Sequence, residues 1–158
     1  MTHTALYDSP IGPITLTFDG EALTGLCFDV HDDNCVSPLN TKHSPLNTSI
    51  LWLDIYFSGR QPDFLPPMKL IGTPFQRCVW QALLEIPYGE TTTYGELARR
   101  VGCRSAQAVG QAVGKNPIAI IVPCHRVIGS DGSLTGYAYG LKKKQYLLQL
   151  EKKQPIIP

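Results

Sequence analysis

A chain of 158 residues, 43% apolar and 17% charged, has the composition of an ordinary globular protein with room for one substantial core or two small ones. No apolar run approaches the roughly 18 residues of a membrane span, and residues 1–5 lack the basic segment and apolar core of a secretory signal, so a cytoplasmic protein outside the membrane is expected. The net charge of +1 conceals a division: residues 1–68 carry two bases and eight acids, a net of −6, and residues 69–158 carry twelve bases and five acids, a net of +7. Two domains are therefore expected, 1–68 and 69–158, the second suited to an anionic partner.

Within the first domain, Ile14-Thr15-Leu16-Thr17-Phe18 and Leu23-Thr24-Gly25-Leu26-Cys27-Phe28 read as strands of a hairpin, with turn chemistry at Asp19-Gly20. Residues 31–48 are polar and predict irregular structure, after which Ile50, Leu51, Leu53, Asp54 and Phe57 follow a helical pattern that stops near Gly59. The segment 61–67 holds three prolines and reads as a spacer between the domains.

The second domain carries helical punctuation. Thr73-Pro74-Phe75-Gln76 supplies an N-cap hydroxyl, a first-turn proline and a glutamine able to close a capping box, predicting a helix over 74–85. Thr93-Tyr94-Gly95-Glu96 repeats that logic for a short helix ending at Gly102, and Ser105 caps another that runs to Lys115 before Asn116-Pro117. The last pair has helix-turn-helix spacing. Its second helix carries Ala106, Ala108, Gly110, Ala112 and Gly114, so it is thin enough to enter a narrow groove or to pack tightly on a neighbour; the positive charge favours DNA. A final helix is expected over 141–150.

The run 118–129 carries the chemistry. An apolar stretch ends at Pro123, and Cys124, His125 and Arg126 follow before the turn Gly129-Ser130-Asp131-Gly132. A neighbouring imidazole raises the thiolate fraction of a cysteine, and an acid orients the imidazole; Asp131 and Glu151 are the downstream candidates. A turn-forming Asp131, a solvated helix-end Glu151 and an inert buried Cys124 are the plain alternatives. Arg126 suits either a phosphate or a turn-bracing ion pair. The five scattered cysteines fit reduced thiols, and Cys27, His31, Cys35 and His43 lack the tight spacing of a structural zinc site, so no metal is expected.

The ordered motifs resemble the O6-alkylguanine-DNA alkyltransferases over both domains. They are Asp8-Ser9-Pro10-Ile11-Gly12, Gly72-Thr73-Pro74-Phe75-Gln76, Tyr94-Gly95-Glu96-Leu97-Ala98, Gly114-Lys115-Asn116-Pro117, Pro123-Cys124-His125-Arg126-Val127-Ile128-Gly129 and Thr135-Gly136-Tyr137-Ala138. The resemblance implies an α/β N-terminal domain with a small β-sheet, joined to a mostly helical C-terminal domain whose helix-turn-helix binds DNA. It implies a monomer that acts on double-stranded DNA carrying alkylated guanine or thymine, without cofactor, metal or membrane.

By the same resemblance Cys124 is the alkyl acceptor, His125 draws off its proton through a water, and Glu151 holds His125. Asn116 braces the reactive turn. Tyr94 lies by the extruded guanine, the carbonyls of Cys124 and Val127 read its exocyclic amine, and the Ala138 N–H faces O6, with Tyr137 beside it. Ser105, Ala106, Gln107, Ala108 and Gly110 belong to the helix in the minor groove, with Arg104 and Arg126 as further DNA contacts. Gln107 stands where relatives commonly carry an arginine that enters the base stack, so weaker extrusion is expected. Two other classes compete: a damage-recognition protein that does not repair, and a cysteine hydrolase unrelated to DNA.

Overall fold

The computed structural model describes residues 3–28, 45–134 and 136–153. The chain divides into two compact units, one ending at Leu70 and one beginning at Ile71.

The first unit is built on a three-stranded antiparallel sheet in the order β1 (His3–Ser9), β2 (Gly12–Phe18), β3 (Leu23–Phe28). The expected hairpin is β2–β3, with Ile14 opposite Phe28 and an irregularity between Thr17 and Phe18. Asp19 shapes its turn by accepting the N–H groups of Glu21 (2.7 Å) and Ala22 (2.8 Å). Strand β1 was not expected. As an edge strand it buries Ala5 but leaves Leu6 51% exposed, so its sequence lacks the apolar run that marks an interior strand.

Helix α1 (Pro45–Phe57) covers the sheet with buried Leu46, Trp52, Leu53 and Tyr56. It begins earlier than the sequence pattern predicted, so residues 45–48 are helical; the rest of the predicted irregular stretch, 31–44, lies outside the described residues. The predicted spacer is also corrected at its end. Leu23 donates its N–H to the Pro67 carbonyl (2.8 Å) and accepts from Lys69 (2.9 Å), which lays the chain beside β3.

In the second unit, α2 (Pro74–Leu84) starts with the complete Thr73–Gln76 capping box and buries Val79, Trp80, Ala82 and Leu83. A two-residue strand β4 (Thr92–Thr93) leads into α3 (Tyr94–Val101), whose N-cap Thr93 accepts from the Glu96 N–H. Gly102 ends α3 at φ 72°, a left-handed cap suited to glycine. Ser105 caps α4 (Ala106–Gly114), completing the helix-turn-helix order. Trp80 Nε1 donates to the Ala112 carbonyl at 2.8 Å and ties α2 to α4. Strand β5 (Val127–Ile128) pairs in parallel with β4, and α5 (Leu141–Lys153) closes the described chain. Helix α5 runs past the predicted end at residue 150, so Glu151 lies inside the helix.

Candidate functional site

The reactive segment is anchored by Asn116. Its Nδ2 donates to the Val122 carbonyl at 2.7 Å, and its Oδ1 accepts the Ile118 N–H at 3.0 Å. Two ends of a five-residue loop are thereby clamped by one side chain. Residues 118–122 are all buried, yet they fold as turns instead of a strand, with Ile120 at φ 70°. A β-branched residue in the left-handed region is strained, and the Asn116 clamp is what holds the backbone there.

The turn that follows separates neighbouring side chains. Cys124–Arg126 form a single 3-10 turn before β5, closed by the Val127 N–H on the Cys124 carbonyl. Cys124 is on a cavity wall, whereas His125 points to α5 and places Nε2 2.6 Å from Glu151 Oε2. Glu151, 3% exposed, is no solvated helix-end acid. Its Oε1 also accepts from Arg126 Nε (2.9 Å) and the Gly89 N–H (3.0 Å), and its Oε2 from Arg126 Nη2 (3.1 Å).

Arg126 must be corrected from a DNA contact to an internal brace. Its guanidinium grips Glu151, donates through Nη1 to the Ile86 carbonyl at 2.7 Å and lies 5.7 Å from the centre of the Tyr88 ring. At 8% exposure it has turned inward, so its charge is spent on a buried carboxylate.

Burial pushes the Cys124 thiol up from its ordinary 9.0, against the neighbouring Asn116 side chain and the positive charge of Lys144. Burial also lowers His125 from 6.5, overcoming the attraction of Glu151. Burial alone would raise Glu151, but hydrogen bonds and charge from His125 and Arg126 hold it at about 2. The resting site therefore contains a thiol, a neutral imidazole and a carboxylate. With a carboxylate against Nε2, the neutral ring carries its proton there and leaves Nδ1 as the basic nitrogen.

The cavity, about 270 Å³, is lined by Tyr94, Gly110, Asn116, Cys124, Tyr137 and Ala138 from the expected set, joined by Val113, Gly114, Gly136 and Tyr139. That volume is near the lower end of ligand pockets, ~300–1,000 Å³. Gly110 faces Tyr94: a Cβ there would meet the ring at 3.7 Å. The thin helix α4 thus does two things, opening the cavity at Gly110 and Gly114 and burying Ala112 against α2. Arg104, Ser105, Ala106 and Gln107 are exposed outside the cavity, with Ala108 half-buried. Val127 is fully buried in β5 and is not part of the cavity wall, and Asp131 only shapes its own turn by accepting from Ser133.

Sequence reasoning missed Gly89 and Lys144. Gly89, at φ 81°, turns its N–H onto Glu151. Lys144 is fully buried, and the spacing Lys144, Leu147, Glu151 places three buried residues on one face of α5. A lysine two turns before a suspected catalytic acid was the available signal. Of the weighed zinc set, only Cys27 falls among the described residues, half-buried in β3; no metal-binding cluster occurs among those described.

A helix-turn-helix with an exposed, thin second helix, set beside a cavity with a buried thiol and an imidazole–carboxylate pair, defines a class of cysteine-acceptor proteins on a DNA-binding scaffold. Two family profiles match the chain: the ribonuclease-like domain of 6-O-methylguanine DNA methyltransferase over residues 2–70 and its DNA binding domain over residues 74–153. The methylated-DNA–protein-cysteine methyltransferase of Mycobacterium leprae is 49% identical over 159 residues, covering 98% of this chain and 94% of that protein. The protein of the same name from Methanosarcina acetivorans is 47% identical over 150 residues, covering 93% and 96%. The crystal structure of Mycobacterium tuberculosis OGT in complex with DNA is similar at TM-score 0.85 and 46% identity, over 95% of this chain and 92% of that one. The chain belongs to the 6-O-methylguanine DNA methyltransferase family.

Proposed function

We propose that this protein repairs double-stranded DNA by direct reversal, moving an alkyl group from O6 of guanine, and less readily from O4 of thymine, onto Cys124 Sγ. The observation that carries the reading is the placement of Cys124 on the cavity wall with the His125–Glu151 pair behind it, in a chain of this family. Exposed Ser105, Ala106 and Gln107 with half-buried Ala108 form the face that enters the minor groove, and Arg104 contacts phosphate. The damaged nucleotide leaves the stack and enters the cavity beside Tyr94, Tyr137 and Ala138.

His125 Nδ1 takes the thiol proton through an intervening water while Nε2–H donates to Glu151. The sulfur attacks the alkyl carbon opposite O6. The S–C bond forms as the C–O6 bond breaks, and the bonding pair stays with the guanine. Tyr94 donates toward N3 as that charge develops, the Cys124 carbonyl holds the exocyclic amine, and the Ala138 N–H faces O6. The proton lost by the thiol ends on the base, which is restored as guanine. A thioether is a poor leaving group, so each molecule reacts once and is spent.

The protein works as a cytoplasmic monomer without a cofactor, in keeping with Cys27, Cys78, Cys103 and Cys124 all being free thiols. Incubation with an O6-methylguanine duplex, followed by intact-mass and peptide analysis, tests the reading. One added methylene, about 14 Da, on Cys124 at close to one equivalent is expected. Binding without a mark on Cys124 would favour recognition without repair, and sustained turnover of an ester or amide would favour a hydrolase.

A further inference from the structure

Among the described residues, Trp80 of α2 is the largest fully buried side chain. Its ring is held at both edges. On one side a Cβ on Gly72 would come within 2.5 Å of the six-membered ring, so a glycine is needed there. On the other, Nε1 donates to the Ala112 carbonyl at 2.8 Å. A buried N–H must find an acceptor, and this one finds it on the backbone of a different helix.

Ala112 lies in the last turn of α4, where carbonyls begin to lose their intrahelical partners. In a continuing α-helix the Asn116 N–H would bond to this carbonyl, four residues back. It bonds instead to the Val113 carbonyl at 3.2 Å, and the Lys115 N–H reaches Ala112 at 3.2 Å by the same shorter step. The helix end is thus tightened to 3-10 geometry, with the indole N–H on the Ala112 oxygen. Pro117 forbids a further turn, but a proline does not fix how the turn before it closes. The tightened end delivers Asn116 with Nδ2 on the Val122 carbonyl and Oδ1 on the Ile118 N–H, the clamp on the loop that leads to Cys124.

We propose that Trp80 is a positioning residue for alkyl transfer: its N–H, by holding the Ala112 carbonyl, sets the turn that ends α4 and so aims Asn116 at the loop carrying Cys124. The proposal rests on Cys124 being the alkyl acceptor. Another large apolar side chain would meet the demand for volume but would supply no donor. The bond sits where the two tasks of α4 meet. Its first residues are exposed, and its later residues Gly110, Val113 and Gly114 line the cavity. Transfer needs sulfur, carbon and oxygen in line, so a small shift of the clamped loop costs rate without touching the surface that binds DNA.

Trp80→Phe removes the donor but also leaves a void, so the decisive variant carries benzothienylalanine at position 80, a near-isostere with sulfur in place of the N–H. Three quantities are compared with the parent: amide hydrogen exchange at Ile118, the dissociation constant for unmodified duplex, and the single-turnover transfer rate at saturating O6-methylguanine duplex. The isostere should speed exchange at Ile118 about tenfold while Leu97 of α3 keeps its parental rate. It should slow transfer about tenfold while the dissociation constant stays within about twofold. A tryptophan that only fills the core predicts otherwise. A parental exchange rate at Ile118, equal loosening at Leu97, a parental transfer rate, or a change confined to the dissociation constant each overturns the proposal. The exchange measurement needs no DNA, so the two readings fail separately: absence of transfer to Cys124 in the parent would instead reject the function on which the proposal rests.

Discussion

The two units of this protein handle ion pairs in opposite ways. In the first, Lys69 reaches Asp19 at 2.8 Å and Glu21 at 3.1 Å with its side chain 45% exposed, so water screens both pairs. In the second, Glu151 binds His125 and Arg126 at similar distances but with its side chain 1% exposed. Distance therefore does not separate a surface brace from a reactive relay; burial does. A buried carboxylate costs desolvation energy, and this one is kept with four donors on its two oxygens and a thiol beyond its imidazole.

The largest expected effect comes from breaking the buried set. Glu151→Gln removes the negative charge but leaves Arg126 buried without its counterion, which should destabilise the fold by about 3–5 kcal/mol. It also frees the His125 tautomer, so single-turnover transfer should slow by at least about tenfold in the protein that remains folded. Denaturant midpoints and quenched-flow transfer rates measure the two separately. A Glu151→Gln protein with parental stability would show that the buried and exposed pairs are equivalent after all.

Acid sharpens the same contrast. Burial lowers the folded pKa of His125 below 6.5, so its contribution is complete above 6.5 and is lost as pH falls, because the unfolded chain takes up the proton first. Glu151 follows at lower pH: its contribution is complete above 4.5 and is lost as pH falls toward about 2, a window shared with Asp19. Stability should thus be level from pH 8 to about 6.5 and then fall in two stages. Transfer, which needs neutral His125, should hold its rate down to that first stage. A rate that fell by half above pH 6.5 would mean that Glu151 raises His125 more than burial lowers it.

These contrasts also explain what the sequence revealed. The helix-turn-helix was legible because its signals are local: Thr93, Gly102 and Ser105 punctuate the chain within a few residues of the backbone groups they satisfy. The relay was legible only through motif order. Cys124 and His125 are adjacent, but Glu151 is brought in by 25 residues of intervening chain, and local pattern left it open between a partner for His125 and a solvated helix end. Arg126 misled for a related reason, since a basic residue near a DNA-facing domain looks like a phosphate contact until Ile86 and Glu151 are seen to occupy its donors. Gly89 and Lys144 carry no motif at all. Their importance follows from where a turn and a helix face place one N–H and one ammonium.

A smaller change is expected on the exposed face of α4. Gln107 is exposed near the start of the helix, where an arginine would offer permanent charge and a planar stacking surface. Gln107→Arg should raise the transfer rate on duplex substrate several-fold and leave single-stranded substrate unchanged, because extrusion is needed only in the duplex. Equal gains on both substrates would place the effect in general electrostatic attraction.

The smallest effect belongs to the surface pairs of the first unit. Lys69→Met removes both partners' counterion, yet Asp19 still accepts two backbone N–H groups in its turn, and Glu21 is 81% exposed to water. Methyl transfer should be unchanged, and any small drop in melting temperature should vanish in molar salt, where such pairs are already screened. A drop that persists in salt would have to come from the lysine's packing beside β3, since its backbone bond to Leu23 survives the substitution. That result would make the side-chain stem, and not its charge, the feature the two units share, because Lys144 also holds a carbonyl at the end of a long aliphatic chain.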